Sequence, residues 1–354
     1  GSESQPSQSQ PPPLPPSHGS GGKLELVLDL DHTLVHACEL HSDALPPSDA
    51  HTFSLRPHLG APEARYKLKL RDGVRAFLKE ARSFCTLHVY TMGSQSYTRQ
   101  VLSLIDPALT FDGQILCRRD GDDAPFEKSV AHLVQNDKSL TDEASRNAMR
   151  DRMIVIDDRD EVWDVRSRPH VVLVPQFHAW HDDGTPSSRS ADQVPDSTLV
   201  DVLHILRQVS SDLRSGADSV PALLRQRQRS ILSGCVLVFS GGLLRDAHKP
   251  ELSKSWRMAE ALGARCEVFF DVRTVTHVVS GQPETNSVHK AIANNLHAVS
   301  NQWLQDSYMR WAKQEEGLYA IGASAAAPPA EGGAPTYRSL AAAPPPPPPP
   351  AAAT

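Results

Sequence analysis

No apolar run in this chain approaches the roughly 18 residues that cross a bilayer, and no charged-then-apolar segment opens it. Cysteine is scarce: Cys38, Cys85, Cys117, Cys235 and Cys266 are an odd number, widely spaced, without a C-x-x-C pair. That pattern excludes a disulfide framework and a cysteine-based zinc site, and it fits a reducing compartment. The expectation is a soluble, intracellular protein without a membrane partner. A basic excess is also missing. With 36 Lys+Arg against 42 Asp+Glu, the net charge of −6 argues against a general nucleic-acid binder, so no direct nucleic-acid partner is expected.

Proline is in excess, but only at the ends. Of 29 prolines, six lie in residues 1–22 and ten in residues 321–354, including the run Pro344–Pro350. Both arms have too little apolar surface to offset chain entropy and are expected to be disordered. The polyproline run either docks an aromatic groove or is low-complexity tail. The opening Gly-Ser, without a methionine, reads as a cloning remnant or an internal fragment. A length of 354 residues sets an expectation of two domains.

Between the arms, KLELVLDLDHTLVHA from Lys23 reads as a buried strand that breaks into polar residues at Asp29. VRAFLKEARSF (74–84) has helical spacing, TLHVYTMGS is a strand ending at Thr91, and SYTRQVLSLID is a helix. MIVIDD (153–158) and VVLVP (171–175) are further strands. Strands alternating with helices imply a parallel α/β sheet with right-handed crossovers. Residues 181–228 read as a polar linker plus an amphipathic helix from Leu199 to Leu213, which either closes the first domain or bridges to the second. From 229 to 320 a second, smaller α/β unit follows, with its last helix written NQWLQDSYMRWAK.

Three strands of the first domain, 23–180, end in polar residues: Asp29-Leu30-Asp31 with Thr33, Thr91 with Gly93 and Ser94, and Asp157-Asp158. Ligands of open parallel sheets bind outside those ends, so the three tips are expected to converge. Up to four carboxylates would then share one crevice, where repulsion raises their pKa values unless a cation neutralises them. All-oxygen donors in phosphate chemistry point to Mg²⁺.

The ordered pieces Asp29/Asp31, Thr91, a lysine and Asp157/Asp158 resemble the four motifs of the haloacid-dehalogenase superfamily, with its Rossmann-like parallel sheet. LDLDHTLVHA, VYTMGSQSY, IDPALTFDGQILCRRD and VIDDRDEVW resemble, more narrowly, the RNA polymerase II C-terminal-domain phosphatases of the TFIIF-associating type, which carry a trailing BRCT domain. The resemblance implies Asp29 as nucleophile, Asp31 as general acid and then base, and Thr91 and Lys128 on the phosphoryl oxygens. It implies Asp158 as a direct metal ligand, Asp157 in support, the Asp31 carbonyl as a further ligand, and Thr33 as a brace for the loop. Lys128 in FEKSV fits the motif, and Lys138 in NDKSL is its rival. Arg71 and Arg119 are candidate phosphate clamps, with surface ion pairing as the alternative. The intervals between motifs are too short for a large cap domain, which suits a polypeptide substrate, with the loop 38–66 shaping a peptide groove.

The second unit resembles a BRCT domain through Ser240-Gly241-Gly242, Leu262-Gly263-Ala264, THVVS and Trp303, with Trp303 expected as a core anchor. By that resemblance Ser240, Gly241 and Lys290 are candidates for phosphate binding, with His289 competing for the lysine's place. His32, His36 and His41 invite a metal reading by spacing, but a solvated loop or substrate-side surface is preferred, since no further ligand has matching spacing. Arg225 to Arg229 reads as a docking or import patch, or as a solvated helix face. The implied activity is Mg²⁺-dependent dephosphorylation of the RNA polymerase II tail in the nucleus, with TFIIF as a possible partner. Its rivals are a superfamily phosphatase for another phosphoprotein or small ester, and a non-catalytic scaffold.

Overall fold

The computed structural model describes residues 22–40, 49–56, 62–107, 111–122, 127–180, 196–244, 246 and 248–322. The arms 1–21 and 323–354, with the expectations attached to them, and His41 lie outside the described residues.

The first unit is organised around β1 (Leu24–Leu28), whose alternating side chains serve two cores. Leu24, Leu26 and Leu28 enter one apolar cluster and Val27 the other. A strand buried on both faces belongs inside a parallel sheet covered by helices. After β1 comes a small antiparallel sheet of β2 (Val35–Leu40), β3 (His51–Leu55) and β4 (Ala64–Leu70), in the order β2-β4-β3. Among the described residues of the expected loop 38–66, residues 38–40, 51–55 and 64–66 are strand. The chain continues through α1 (Val74–Ala81), β5 (Cys85–Ser94), α2 (Gln95–Ile105), β6 (Ile115–Arg118), α3 (Val130–Asn136), α4 (Glu143–Asp151), β7 (Met153–Asp157) and β8 (Val171–Leu173). These strands and β1 form a five-stranded parallel sheet in the order β6-β5-β1-β7-β8. Strand order reverses at β1, with β5 on one side and β7 on the other, which sets a ligand crevice at their carboxyl ends.

Next is α5 (Thr198–Arg214), which buries Leu199, Val202, Leu203, Leu206 and Val209 in the same core as β1. It closes the first unit, so the boundary expected at 180 lies short of the packed domain. A second helix, α6 (Val220–Ser230), adds Val220, Leu223 and Leu224 to that core and runs past the expected start of the second unit. On α6, Arg227 donates to Asp212 at 2.5 Å, so part of the Arg225 to Arg229 stretch pairs within the fold.

The second unit contains β9 (Val236–Ser240), α7 (Lys254–Ala261), β10 (Arg265–Glu267), β11 (His277–Ser280), α8 (Asn286–Ala293), β12 (His297–Ser300) and α9 (Asn301–Met309). Its parallel sheet has the order β10-β9-β11-β12. Trp303 is fully buried and donates its indole N–H to the Gln314 carbonyl at 2.9 Å, as a core anchor requires. The final helix stops at Met309, short of the Lys313 expected from sequence. There the chain turns through Trp311, at φ +54°, and this indole packs against the core of the first unit. Among the described residues, no helix is long and apolar enough to cross a membrane.

Candidate active site

At the tip of β1, the Asp29 N–H donates to the Ile156 carbonyl at 3.0 Å, which locks the first acidic residue to β7. The chain then folds back sharply: the Leu30 carbonyl accepts from Leu34 at 2.8 Å and Val35 at 3.0 Å. His32 takes a left-handed conformation, φ +59°, within this turn. The turn puts Asp29 and Asp31 on the crevice while Leu30 and Leu34 stay in the core.

Ligand oxygens of Asp29, Asp157 and Asp158 lie within 4.8 Å of one another. Into this cluster Lys128 donates to Asp29 Oδ1 at 2.6 Å and to Asp157 Oδ2 at 2.8 Å. Lys128 is 1% exposed, and a bridge to Trp163 holds its backbone. Lys138, its rival, is exposed and lines a separate cavity with Glu25, His88 and Arg152. The structure thus brings Lys128, and not Lys138, to the carboxylates.

The two carboxylates of the last motif have different surroundings. Asp157 Oδ2 also accepts the Trp163 indole N–H at 2.9 Å, and its Oδ1 takes the Arg159 N–H at 2.9 Å, so both oxygens are engaged by protein. Asp158 is braced by the Thr33 hydroxyl at 3.2 Å and by Gln176 Nε2 at 2.8 Å. Thr33 also accepts the Asp158 N–H at 3.1 Å, tying the β1 turn to the end of β7. Thr91 is fully buried and its hydroxyl accepts the Gly93 N–H at 3.0 Å. The strand carrying it continues to Ser94, past the end expected at Thr91.

The electrostatics of the cluster suit a cation. Burial pushes the Asp29 carboxyl up, to about 8; Lys128 pulls it down, and Asp157 and Asp31 push it up again. Burial likewise raises Asp31 and Asp158, the latter with help from Asp157. Burial alone would lower Lys128, but Asp29 and Asp157 outweigh it and raise its pKa. Three carboxylates against one ammonium leave excess negative charge in a buried place, and their all-oxygen donors suit a hard cation such as Mg²⁺.

Of the two arginines expected as clamps, one is engaged inside the fold. Arg71 is 2% exposed and donates to Asp196, Thr33 O, Pro175 O and Thr198 Oγ1, each at 2.9 Å. It fastens the β1 turn to the start of α5 rather than facing the carboxylates. Arg119 is exposed beyond β6, whereas its neighbour Arg118 donates to the Met92 carbonyl beside Thr91. Three contributors carried no assigned role in the sequence reading. Tyr97 donates its hydroxyl to Asp31 Oδ1, Trp163 donates to Asp157, and Gln176 holds Asp158. Tyr97 and Trp163 lie in stretches with family resemblance; nothing in the sequence marks Gln176.

In the second unit, Ser240 donates its hydroxyl to Thr285 Oγ1 at 2.8 Å and Gly241 turns at φ +62°. Lys290 lies over the Phe270 ring, 6.0 Å from its centre, and His289 pairs with Glu284 at 2.9 Å.

A paired-acid turn, a buried lysine and an acidic strand end meet at the switch point of a parallel sheet, a setting suited to phosphate-ester chemistry. Residues 24–215 match the NLI interacting factor-like phosphatase family and residues 227–308 the BRCA1 C Terminus (BRCT) domain. The chain belongs to that phosphatase family and is a phosphoprotein phosphatase with a trailing BRCT domain. It is 30% identical over 325 residues to RNA polymerase II C-terminal domain phosphatase-like 4 of Arabidopsis thaliana, covering 84% of this chain and 70% of that one. It is 27% identical to an RNA polymerase II C-terminal domain phosphatase of Caenorhabditis elegans, over 84% of this chain and 46% of the relative. The solved structure of Fcp1, an essential RNA polymerase II CTD phosphatase, superposes with a TM-score of 0.63 at 22% identity, covering 85% of this chain and 96% of that one. That likeness is one of fold.

Proposed function

We propose that this chain removes phosphate from phosphoserine in the repeated C-terminal tail of RNA polymerase II, in the nucleus, through an aspartyl-phosphate on Asp29. The observation that carries this reading is the convergence of Asp29, Asp31, Lys128 and Asp158 at the sheet's switch point. The names of the relatives support the substrate. So does the fold around the site, because the described residues between β1 and α1 form a small three-stranded sheet rather than a cap domain.

Asp29 attacks phosphorus, and the bond from phosphorus to the serine oxygen breaks as Asp31 gives that oxygen its proton. Water then attacks phosphorus, Asp31 takes the water's proton, and the bond to Asp29 breaks to release phosphate. Lys128 offsets negative charge throughout, and Thr91 hydrogen-bonds the phosphoryl oxygens. Tyr97 orients the Asp31 carboxyl. Asp29, Asp158 and the Asp31 carbonyl would hold Mg²⁺, with Asp157 supporting through Lys128 and Trp163. The bound ion supplies positive charge for the phosphoryl group. TFIIF as a docking partner belongs to the same reading.

The test is phosphate release from a phosphoserine peptide of the polymerase tail, with Mg²⁺ and with chelator. Turnover that needs the metal and falls to background in Asp29→Asn is expected. Equal turnover in that variant would remove Asp29 from the chemistry, and turnover only on small phosphate esters would overturn the substrate.

A further inference from the structure

The end of the second unit divides its apolar side chains between two cores. Trp303, Leu304 and Tyr308 on α9 belong to the core of their own unit, but Trp311, just past the end of that helix, packs against the core of the first. Its backbone holds φ +54°, a left-handed conformation that is costly for a bulky residue and persists only where the surrounding packing fixes it. Trp311 and Arg310 share with Pro175, Thr198 and Val202 the walls of a cavity of about 20 Å³, too small for more than a water molecule.

What Trp311 meets there is the strip of chain that fastens the carboxylate cluster. Each residue from 174 to 177 bonds to the site. The Val174 N–H donates to the Asp157 carbonyl at 3.0 Å, and the Pro175 carbonyl accepts from Arg71 at 2.9 Å. Gln176 donates to Asp158 Oδ2 at 2.8 Å, and the Phe177 N–H donates to the His32 carbonyl at 2.7 Å. Arg71 carries the connection further: it also donates to Thr198 Oγ1, on the cavity wall, and to the carbonyl of Thr33, whose hydroxyl donates to Asp158 Oδ1. Two routes therefore run from the cavity to Asp158, one through Pro175 and Gln176 and one through Thr198, Arg71 and Thr33. Asp158 is held at both oxygens, and both braces start from residues on the cavity that Trp311 walls.

We infer that Trp311 is a positioning residue for the phosphatase site: an indole supplied by the trailing unit seats the strip 174–177 and the start of α5, and through them holds Asp158 in place. This role rests on the part that Asp158 plays in the proposed mechanism, and it makes the trailing unit a working piece of the site rather than an appended module.

The test uses the full chain and compares wild type, Trp311→Ala, Trp311→Phe and Leu206→Ala, each below its first thermal transition. Leu206→Ala loosens the same core, but Leu206 does not line the cavity. With an aryl phosphate and Mg²⁺, Trp311→Ala should lose about ten- to a hundredfold in kcat with KM little changed, while Trp311→Phe recovers most of it and Leu206→Ala keeps it. In Trp311→Ala combined with Gln176→Ala, the loss should fall short of the product of the two single losses, because both act on the same carboxylate. Hydrogen exchange read by mass spectrometry needs no turnover. The Asp158 amide, bonded to the Thr33 hydroxyl at 3.1 Å, and the Phe177 amide should exchange faster in Trp311→Ala and not in Leu206→Ala. Where wild type turns over, equal kcat in Trp311→Ala, equal losses in Trp311→Ala and Leu206→Ala, or multiplicative losses in the double variant would each overturn the role, and so would unchanged exchange at Asp158 and Phe177. If wild type does not turn over while the exchange result holds, the proposed chemistry falls and the coupling stands.

Discussion

Two side chains show how position decides the role of a charge. Lys128 and Arg71 are both buried, yet Lys128 faces carboxylates that exceed it in charge, while the donors of Arg71 meet Asp196, a hydroxyl and two carbonyls. Arg71→Ala would take the guanidinium away from the buried Asp196 carboxylate, and a loss of about 3–5 kcal/mol in urea unfolding is expected. Burial pushes the Asp196 carboxyl up, but Arg71 and Thr198 outweigh it and hold it at about 2. That lies below its unfolded value of about 3.9. The stabilisation is therefore complete above the unfolded value and lost as pH falls through about 2, so wild type and variant should converge in stability over that acid window. Trp163→Phe removes the indole donor from Asp157 and should cost about 1.5–3 kcal/mol by the same unfolding measurement. The acids were legible because they end apolar strands. The partner of Arg71 was not, because Asp196 lies 125 residues away and only the packing of α5 brings it near.

At the scale of elements, hydrophobic patterning carried the reading where a strand or helix buries a continuous face. β1, β5, β7, α1 and α2 follow from it. It fell short for β6, whose four residues are exposed or half-buried, and for β3, whose side chains alternate only between half-buried and exposed. Short edge strands bury too little to leave a periodic signal. The helix α5 was visible as amphipathic, but its partner was not, because periodicity gives a face and not what covers it. Leu206, fully buried on α5, belongs to the core of β1. Leu206→Ala should therefore lower the stability of the phosphatase unit by about 2–5 kcal/mol. An α5 that merely tethered the two units would show almost no change.

The whole molecule is two parallel-sheet units in sequence, and Trp311 reaches from the second to the core of the first. Replacing Trp311 with alanine should split one cooperative melt into two transitions, seen by calorimetry; an unchanged single transition would show that the contact does not couple the units. Within the second unit, burial pushes His277 down to about 4, below its unfolded value of about 6.5. The unfolded chain then binds a proton that the fold refuses, so the stability of this unit falls as pH drops from about 6.5 through about 4. His277→Gln should flatten that slope in urea midpoints taken across the window. The central claim concerns Asp29, and rapid quenching followed by peptide mass spectrometry tests it most directly. In Asp31→Asn, an aryl phosphate needs no acid to leave, but hydrolysis of the intermediate loses its base. A phosphoryl group accumulating on Asp29 is the expected result. A phosphoryl group on another residue, or steady product release with none on Asp29, would contradict the account.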